Sequence, residues 1–411
     1  MHPGRVTLTI ADRICYASYM MKSYASGSLS LAMMTEFADQ TGLSPPGKAP
    51  RRYLWTDAFA VCTFLDLYRQ TGDEKYQDIA VRLVDQVHNT LGRHRKDDSR
   101  TGWISGLSEE EGKIHPTKGG LRIGKKMNER RPGDPYVERL EWDRDGQYYH
   151  YLTKWMHALN RMSRVIEDPM YTMLAIELAK TAHAGFTYVP VFGGPKRMYW
   201  KMSIDLTRPL VESMGHHDPL DGYITYTQLQ ATAVNGPKGS ASPDLAAEIA
   251  EMANICEGRN WTTDDPLGLG GVLDAACRVT QLIIHERFER IDLLDILLGS
   301  CLAGLRSYAD NNSLSLPAGY RLAFRELGLS IGLQAVDKIR GLIAKHPDAF
   351  TGKYPLHSRI EALGEFSPLI REIESFWLEP ANRQANSWMA HQDINMVMLA
   401  TSLSPDGYLT I

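Results

Sequence analysis

From Asp73 to Leu91, Tyr76, Ile79, Ala80, Leu83, Val84, Val87 and Leu91 recur at steps of three and four, with Asp, Arg, Gln and His on the other face. That period predicts a helix buried on one side and wet on the other. Met170 to Ala182 has the same one-sided character. So does the stretch after Ser242-Pro243, where Ser reads as an N-cap and Pro as the first helical residue. A second class of segment is apolar nearly all round: Ala58 to Tyr68, Leu267 to Ile284, Leu322 to Leu333 and Ile394 to Leu403. Helices with no continuous polar face are surrounded by protein. Their glycines at 268, 270, 271, 328 and 332 cost some helix stability and permit close approach of a neighbour.

The two classes alternate. Buried then half-wet helices are expected over 55–71 and 73–92, 145–167 and 169–187, 222–234 and 243–257, 267–290 and 292–308. Helices over 320–345, 360–378 and 385–403 follow, and one near 28–41 can join the outer layer beside the last inner helix. The turns within a pair are short: Thr71-Gly-Asp73, Glu167-Asp-Pro169 and Arg290-Ile-Asp292. The connections back to the next inner helix are long, at 93–143 and 188–215, and a short hairpin is expected within 196–206. An inner ring of buried helices inside an outer ring of amphipathic ones satisfies this order. The expected fold is therefore all-α, an (α/α)6 toroid formed as a single domain over 1–411, with 1–27 as an irregular arm. Its long loops gather at one end, where ligand sites are usually built.

Composition narrows the function classes. Forty-nine acids nearly balance forty-five bases among the 411 residues, and the basic residues form no long run, so nucleic acid is not an expected partner. No segment approaches the ~18 uninterrupted apolar residues of a membrane helix, and the first residues lack the apolar core of a signal peptide. The five cysteines (15, 62, 256, 277, 301) are odd in number and scattered. They read as small hydrophobes in a reducing compartment rather than staples or zinc ligands. A soluble cytoplasmic protein without metal or cofactor is the expectation; its oligomeric state is open.

Each buried segment is preceded by a cluster of aromatic, acidic and small residues. The clusters are Tyr53-Leu-Trp-Thr-Asp57, Glu141-Trp-Asp-Arg-Asp-Gly146, Gly215-His-His-Asp-Pro-Leu-Asp-Gly222, Trp261-Thr-Thr-Asp-Asp-Pro266, Ala318-Gly-Tyr-Arg321 and Asn386-Ser-Trp-Met-Ala-His-Gln-Asp393. Side by side, such helix starts ring one mouth with acids, indoles and imidazoles, which suits a polar, stackable ligand such as a small saccharide. With Trp55-Thr-Asp57 opening an inner helix, Thr71-Gly-Asp-Glu-Lys-Tyr76 its outer partner and Glu141-Trp-Asp143 the next inner helix, the chain resembles the six-hairpin glycosidase superfamily. That superfamily includes unsaturated glucuronyl hydrolases and, in related toroids, N-acylglucosamine 2-epimerases. The resemblance spans roughly 50–400 and is architectural; fold likeness alone does not carry function.

The leading reading is a glycoside hydrolase acting on a small, acidic or neutral saccharide. Glycoside cleavage uses two carboxyl groups about 5–9.5 Å apart. The resemblance maps them to Asp57 and to Asp143 or Asp145; Asp at a helix start equally caps free N–H groups, and Asp145-Gly146 reads that way. Trp55, Trp142, Tyr148, Trp261 and Trp388 are candidate ring platforms, and each indole also serves as a plug for the toroid end. His216 and His217 are candidate ligand donors. Arg122, within Gly119-Gly-Leu-Arg-Ile-Gly-Lys-Lys126, can meet a substrate carboxylate. That stretch imitates a phosphate loop, but Lys126 holds the Ser/Thr place and no strand precedes it. The alternatives are an epimerase using His391 with another imidazole, and a non-catalytic saccharide-binding toroid. Glu326 lies in a buried helix and needs a base from a neighbouring helix.

Overall fold

The structure is a computed structural model describing residues 27–47, 49–234, 244–286, 288–352 and 354–411. Residues 1–26, Cys15 among them, and the cap expected at Ser242-Pro243 lie outside the described residues. The inner helices are α2 (Leu54–Thr71), α6 (Tyr149–Ile166), α8 (Asp218–Val234), α10 (Pro266–Glu286), α12 (Ala323–Lys345) and α16 (Gln392–Leu403). Each packs on the next, and α16 returns to α2, so the ring closes. The outer layer is α1 (27–40), α3 (Glu74–Leu91), α7 (Pro169–Phe186), α9 (Ala246–Cys256), α11 (Ile291–Asp310), α13 (Leu356–Gly364) and α14 (Pro368–Leu378). α1 lies on the last inner helix, with Ser30 Oγ donating to Ala400 O. Short helices α4 (Glu109–Ile114) and α5 (Glu138–Asp143) sit in the first long connection, α15 (Asn386–Met389) precedes α16, and α17 (Asp406–Leu409) follows it. This is the (α/α)6 double ring that the alternation of buried and half-wet segments predicts.

Local chemistry sets the turns. Gly72 ends α2 with φ 68°, its N–H bonding Tyr68 O, and the Asp73 carboxylate then caps α3 by accepting from Lys75 N. Asp168 caps α7 in the same way, with Pro169 at the first position. Close packing of α10 on α12 uses the predicted glycines: a Cβ at Gly270 would stand 2.1 Å from Gly328 O, and one at Gly332 would stand 2.6 Å from Gly270 Cα. α10 is long and apolar enough to cross a membrane, but 78% of that window is buried inside this protein, as a core helix.

Several boundaries differ from expectation. α6 starts at Tyr149, not 145, because Gly146 adopts φ 144° and Gln147–Tyr148 forms strand β1. Asp145 therefore caps no helix; Tyr148 occupies that position without a side-chain cap. α8 begins earlier, at Asp218, with Pro219 in its first turn. The segment expected as one helix over 360–378 is two, since Pro368 opens α14 after a turn. The last helix breaks at Ala390-His391, where Asn395 Nδ2 takes the Trp388 carbonyl. No hairpin forms within 196–206: β3 (Arg197–Met198) pairs with β2 (Thr187–Tyr188), whereas β4 (Lys201–Met202) lies between β1 and β5 (Pro209–Val211).

A circuit of contacts shows that the inner helices open on one mouth. Tyr53 Oη meets Tyr151 Oη at 2.7 Å between α2 and α6. His150 approaches Asp218 between α6 and α8, and His217 Nε2 reaches Trp261 O, just before α10. Arg325 pairs with Asp265 between α10 and α12. Phe324 N donates to Asn395 Oδ1 between α12 and α16, and Arg51 pairs with Asp393 at 3.4 Å to complete the circle. The far end is filled by α17 and the residues after it. Tyr408 stacks on Phe59 at 4.2 Å, Arg161 donates to Gly407 O and Ile411 O, and Gln281 donates to Leu409 O.

Candidate functional site

Between α6 and α8, at the mouth, two side-chain pairs lie one above the other. His150 Nδ1 is 3.6 Å from Asp218 Oδ1, and one turn deeper Lys154 Nζ is 3.3 Å from Asp221 Oδ2. The spacings i,i+4 on α6 and i,i+3 on α8 keep each pair of partners on facing stripes. Deeper still stand Asp274 and Arg278 of α10 beside Tyr408, with His157 and Gln228. Above the pairs rises an aromatic wall. Trp55 meets His150 edge-on at 6.0 Å between ring centres, Tyr148 stacks on His150 at 5.3 Å, and Trp200 lies 5.2 Å from Tyr148.

What singles out this corner is unmet hydrogen-bonding capacity. Trp55 Nε1, His150 Nδ1, Asp218 Oδ2 and Asp274 Oδ1 are buried and have no hydrogen-bond partner among the described residues. Such atoms are rare in native proteins and each one calls for a reason. Burial, and then the neighbouring Asp221, push the Asp218 carboxyl well above the usual carboxylate range, against the pull of Lys154. Burial lowers His150 to about 4. Burial thus biases the carboxyl toward its protonated form and the imidazole toward its neutral one, a donor and an acceptor not yet used. A ligand rich in hydroxyl groups supplies the missing partners.

The residues singled out from sequence fall into three groups. Asp57 and Asp145 are engaged in the scaffold. Asp57, buried, accepts from Arg52 Nη1 at 3.2 Å and from Tyr53 N at 2.9 Å; burial pushes it up to about 6 in spite of that guanidinium. Asp145 takes Arg95, Arg122 and the N–H groups of Gly124 and Gly146. Arg122 spends its remaining donors on Arg93 O and Thr90 O. Asp143 is exposed at the end of α5.

Trp55 and Tyr148 do stand together at the mouth. Trp142 is 46% exposed and meets Trp200 edge-on at 5.3 Å, so it extends the wall outward. His217 lies under Trp261, and the exposed His216 stacks edge-on against it at 4.5 Å. Trp261 is buried, and Trp388 is buried against Trp377 at 5.6 Å, so neither offers a free ring face. His391 is the residue before α16, on the rim against Phe324. Glu326 finds its base at Arg321, in the segment just ahead of its own helix, and also accepts from Trp377 Nε1.

His150, Lys154, Asp218, Asp221 and Trp200 were not singled out by sequence reasoning. The signal was present: a histidine and a lysine four apart in a buried helix, and two acids three apart in the first turn of another. It was obscured because 215–221 reads as a loop, in which i,i+3 has no facing meaning.

No protein-family model matches the chain, and no curated protein sequence matches it. Among solved structures, the ring is similar to the GH76A α-1,6-mannanase from Salegentibacter sp. HEL1_6, with TM-score 0.49, 14% identity, 92% of this chain and 99% of that one covered. It is also similar to a sugar epimerase from a ruminal bacterium, with TM-score 0.46, 10% identity and 86% and 88% covered. A third is an unsaturated glucuronyl hydrolase specific for heparin, with TM-score 0.37, 12% identity and 93% and 96% covered. These likenesses concern shape alone.

Proposed function

We propose that the chain is a carbohydrate-processing enzyme that hydrolyses a glycosidic bond at the corner between α6 and α8. The observation that carries this reading is the buried Asp218, unpartnered at Oδ2 among the described residues and biased by burial toward its protonated form, one turn above Asp221, which pairs with Lys154. A carboxyl biased toward its protonated form, beside a second carboxyl paired with an ammonium, is the kind of pair that acid–base cleavage of an acetal uses. Asp218 gives its proton to the leaving oxygen. Asp221, its negative charge held by the ammonium, acts on water or on the anomeric carbon. Trp55, Tyr148 and Trp200 offer ring faces and edges to the sugar, and the Trp55 indole N–H and His150 Nδ1 orient its hydroxyls.

A second reading rests on His150. A neutral imidazole with a free, buried Nδ1 beside a protonated carboxyl is also a base–acid pair for moving a proton on and off carbon, as a sugar epimerase does. One experiment separates the two. Incubate the protein in deuterated buffer with a panel of aryl glycosides and disaccharides of the common hexoses and hexuronates, then follow it by NMR. Hydrolysis yields new reducing ends without deuterium on carbon. Deuterium in recovered sugar transfers the assignment to the proton-transfer reading, and neither change across the panel removes both.

A further inference from the structure

Beside the mouth, between the start of α12, the end of α11 and the residue pair before α10, lies a cavity of about 310 Å3. Its size is at the lower end of the ~300–1,000 Å3 typical of small-molecule sites, enough for one ring rather than a chain. Three of the large apolar side chains that the fold leaves exposed line it together: Leu316 (44%), Tyr320 (82%) and Leu322 (40%). Asn311 and Asp264 bring polar side chains to the same lining, and Tyr308 adds a second aromatic ring. Scattered exposed apolar residues need no reason, but three around one polar cavity do.

The charges in the wall are already matched. Arg321 is held by Glu326 at 2.7 Å, and Arg325 by Asp265, whose other oxygen accepts from Gly268 N. An anionic ligand therefore meets no free cation among these two, whereas a neutral polyhydroxylated ring meets an exposed phenol face and hydrogen-bonding groups. Arg325 still has a buried Nε without a partner. The same side chain acts electrostatically on Tyr151, which belongs to the aromatic group around His150, so this cavity adjoins the mouth.

We infer that this cavity binds one neutral sugar ring, as a second subsite for a saccharide whose neighbouring ring lies over Asp218 and Asp221. The placement of that neighbouring ring rests on the hydrolytic reading; the binding of a ring in the cavity does not. The test uses the full chain carrying Asp218→Asn, which needs no turnover, with tyrosine rings isotope-labelled. It is titrated with the methyl glycosides of glucose, galactose and mannose. Saturable shifts of the Tyr320 and Tyr308 ring signals are expected with at least one of them. Tyr320→Ala, at an exposed position, should weaken that binding about threefold to tenfold while the melting curve stays unchanged. No shift with any of the three overturns the inference whatever the catalytic assays give. Equal binding by Tyr320→Ala also overturns it. Shifts in a protein that hydrolyses nothing leave the cavity as a sugar site and remove only its link to Asp218.

Discussion

Nδ1 of His150 stands 3.6 Å from Oδ1 of Asp218, beyond hydrogen-bond reach, although Asp218 is buried and His150 is partly so. The pair is poised rather than satisfied. Leaving buried polar atoms unmet costs about 1–3 kcal/mol each, a cost that a site bears where function needs the groups free. The contrast with Asp57 and Asp145 is direct, since those acids spend their oxygens on guanidinium and backbone N–H groups.

Asp218 should make the protein less stable as pH rises. Its folded carboxyl keeps a proton that the unfolded chain releases near ~3.9. The folded state therefore binds more protons above that pH, and stability falls by up to about 1.4 kcal/mol per unit until the folded group ionises. Asp218→Asn removes this loss. Its advantage over the wild type, from denaturant unfolding at pH 4 to 8, should grow with pH; parallel curves would show that Asp218 titrates normally.

Removing the ammonium beneath should act on both stability and rate. Lys154→Met leaves the buried Asp221 without its cation, a loss of about 3–5 kcal/mol. With its partner gone, Asp221 is no longer held in place, so turnover per folded molecule should fall as well. Unchanged turnover in the folded fraction would take the pair out of the chemistry.

His88 gives the opposite pH sign from Asp218. It accepts from Trp155 Nε1 at 3.2 Å, and burial lowers it to about 3. Between ~6.5 and about 3 the unfolded chain binds the extra proton, so stability present above ~6.5 is lost as the pH falls. His88→Gln keeps an acceptor for the indole without titrating. The wild type should lose up to about 1.4 kcal/mol per pH unit relative to this variant, read by unfolding at pH 7, 6 and 5.

Adjacent glycines of α10 should respond in opposite directions. Gly270→Ala drives a methyl into Gly328 O and should cost about 1–3 kcal/mol or more. At Gly271 a Cβ meets nothing within 4 Å, so Gly271→Ala should stabilise by about 0.5–1 kcal/mol through helix propensity. Thermal melts of the two variants decide it. Equal effects would mean that α10 does not touch α12 along that stripe.

These glycines also show how much was readable beforehand. An all-round apolar helix with small residues announces a buried, closely packed inner helix, and the Asp73 and Asp168 caps announce the short turns. Most of the ring follows from such local signals; the split of 356–378 into α13 and α14 does not. Neither does the site. Asp57 and Asp218 both head apolar helices, and only the three-dimensional neighbourhood separates them: Arg52 folds back on the first, while Oδ2 of the second finds no partner among the described residues. Breaks such as Ala390-His391 were also hidden, because the Asn395 side chain that takes the Trp388 carbonyl competes with the helix through a contact periodicity does not register.

The most direct measurement compares turnover of one aryl glycoside by Asp218→Asn and by Asp57→Asn, each corrected for the folded fraction. Asp218→Asn should lose at least about 100-fold in rate with its melting temperature at neutral pH unchanged or higher. Asp57→Asn, which strands a buried Arg52, should melt earlier, by about 3–5 kcal/mol of stability, and keep its rate per folded molecule. A fully active Asp218→Asn, or a well-folded Asp57→Asn without turnover, would contradict the assignment.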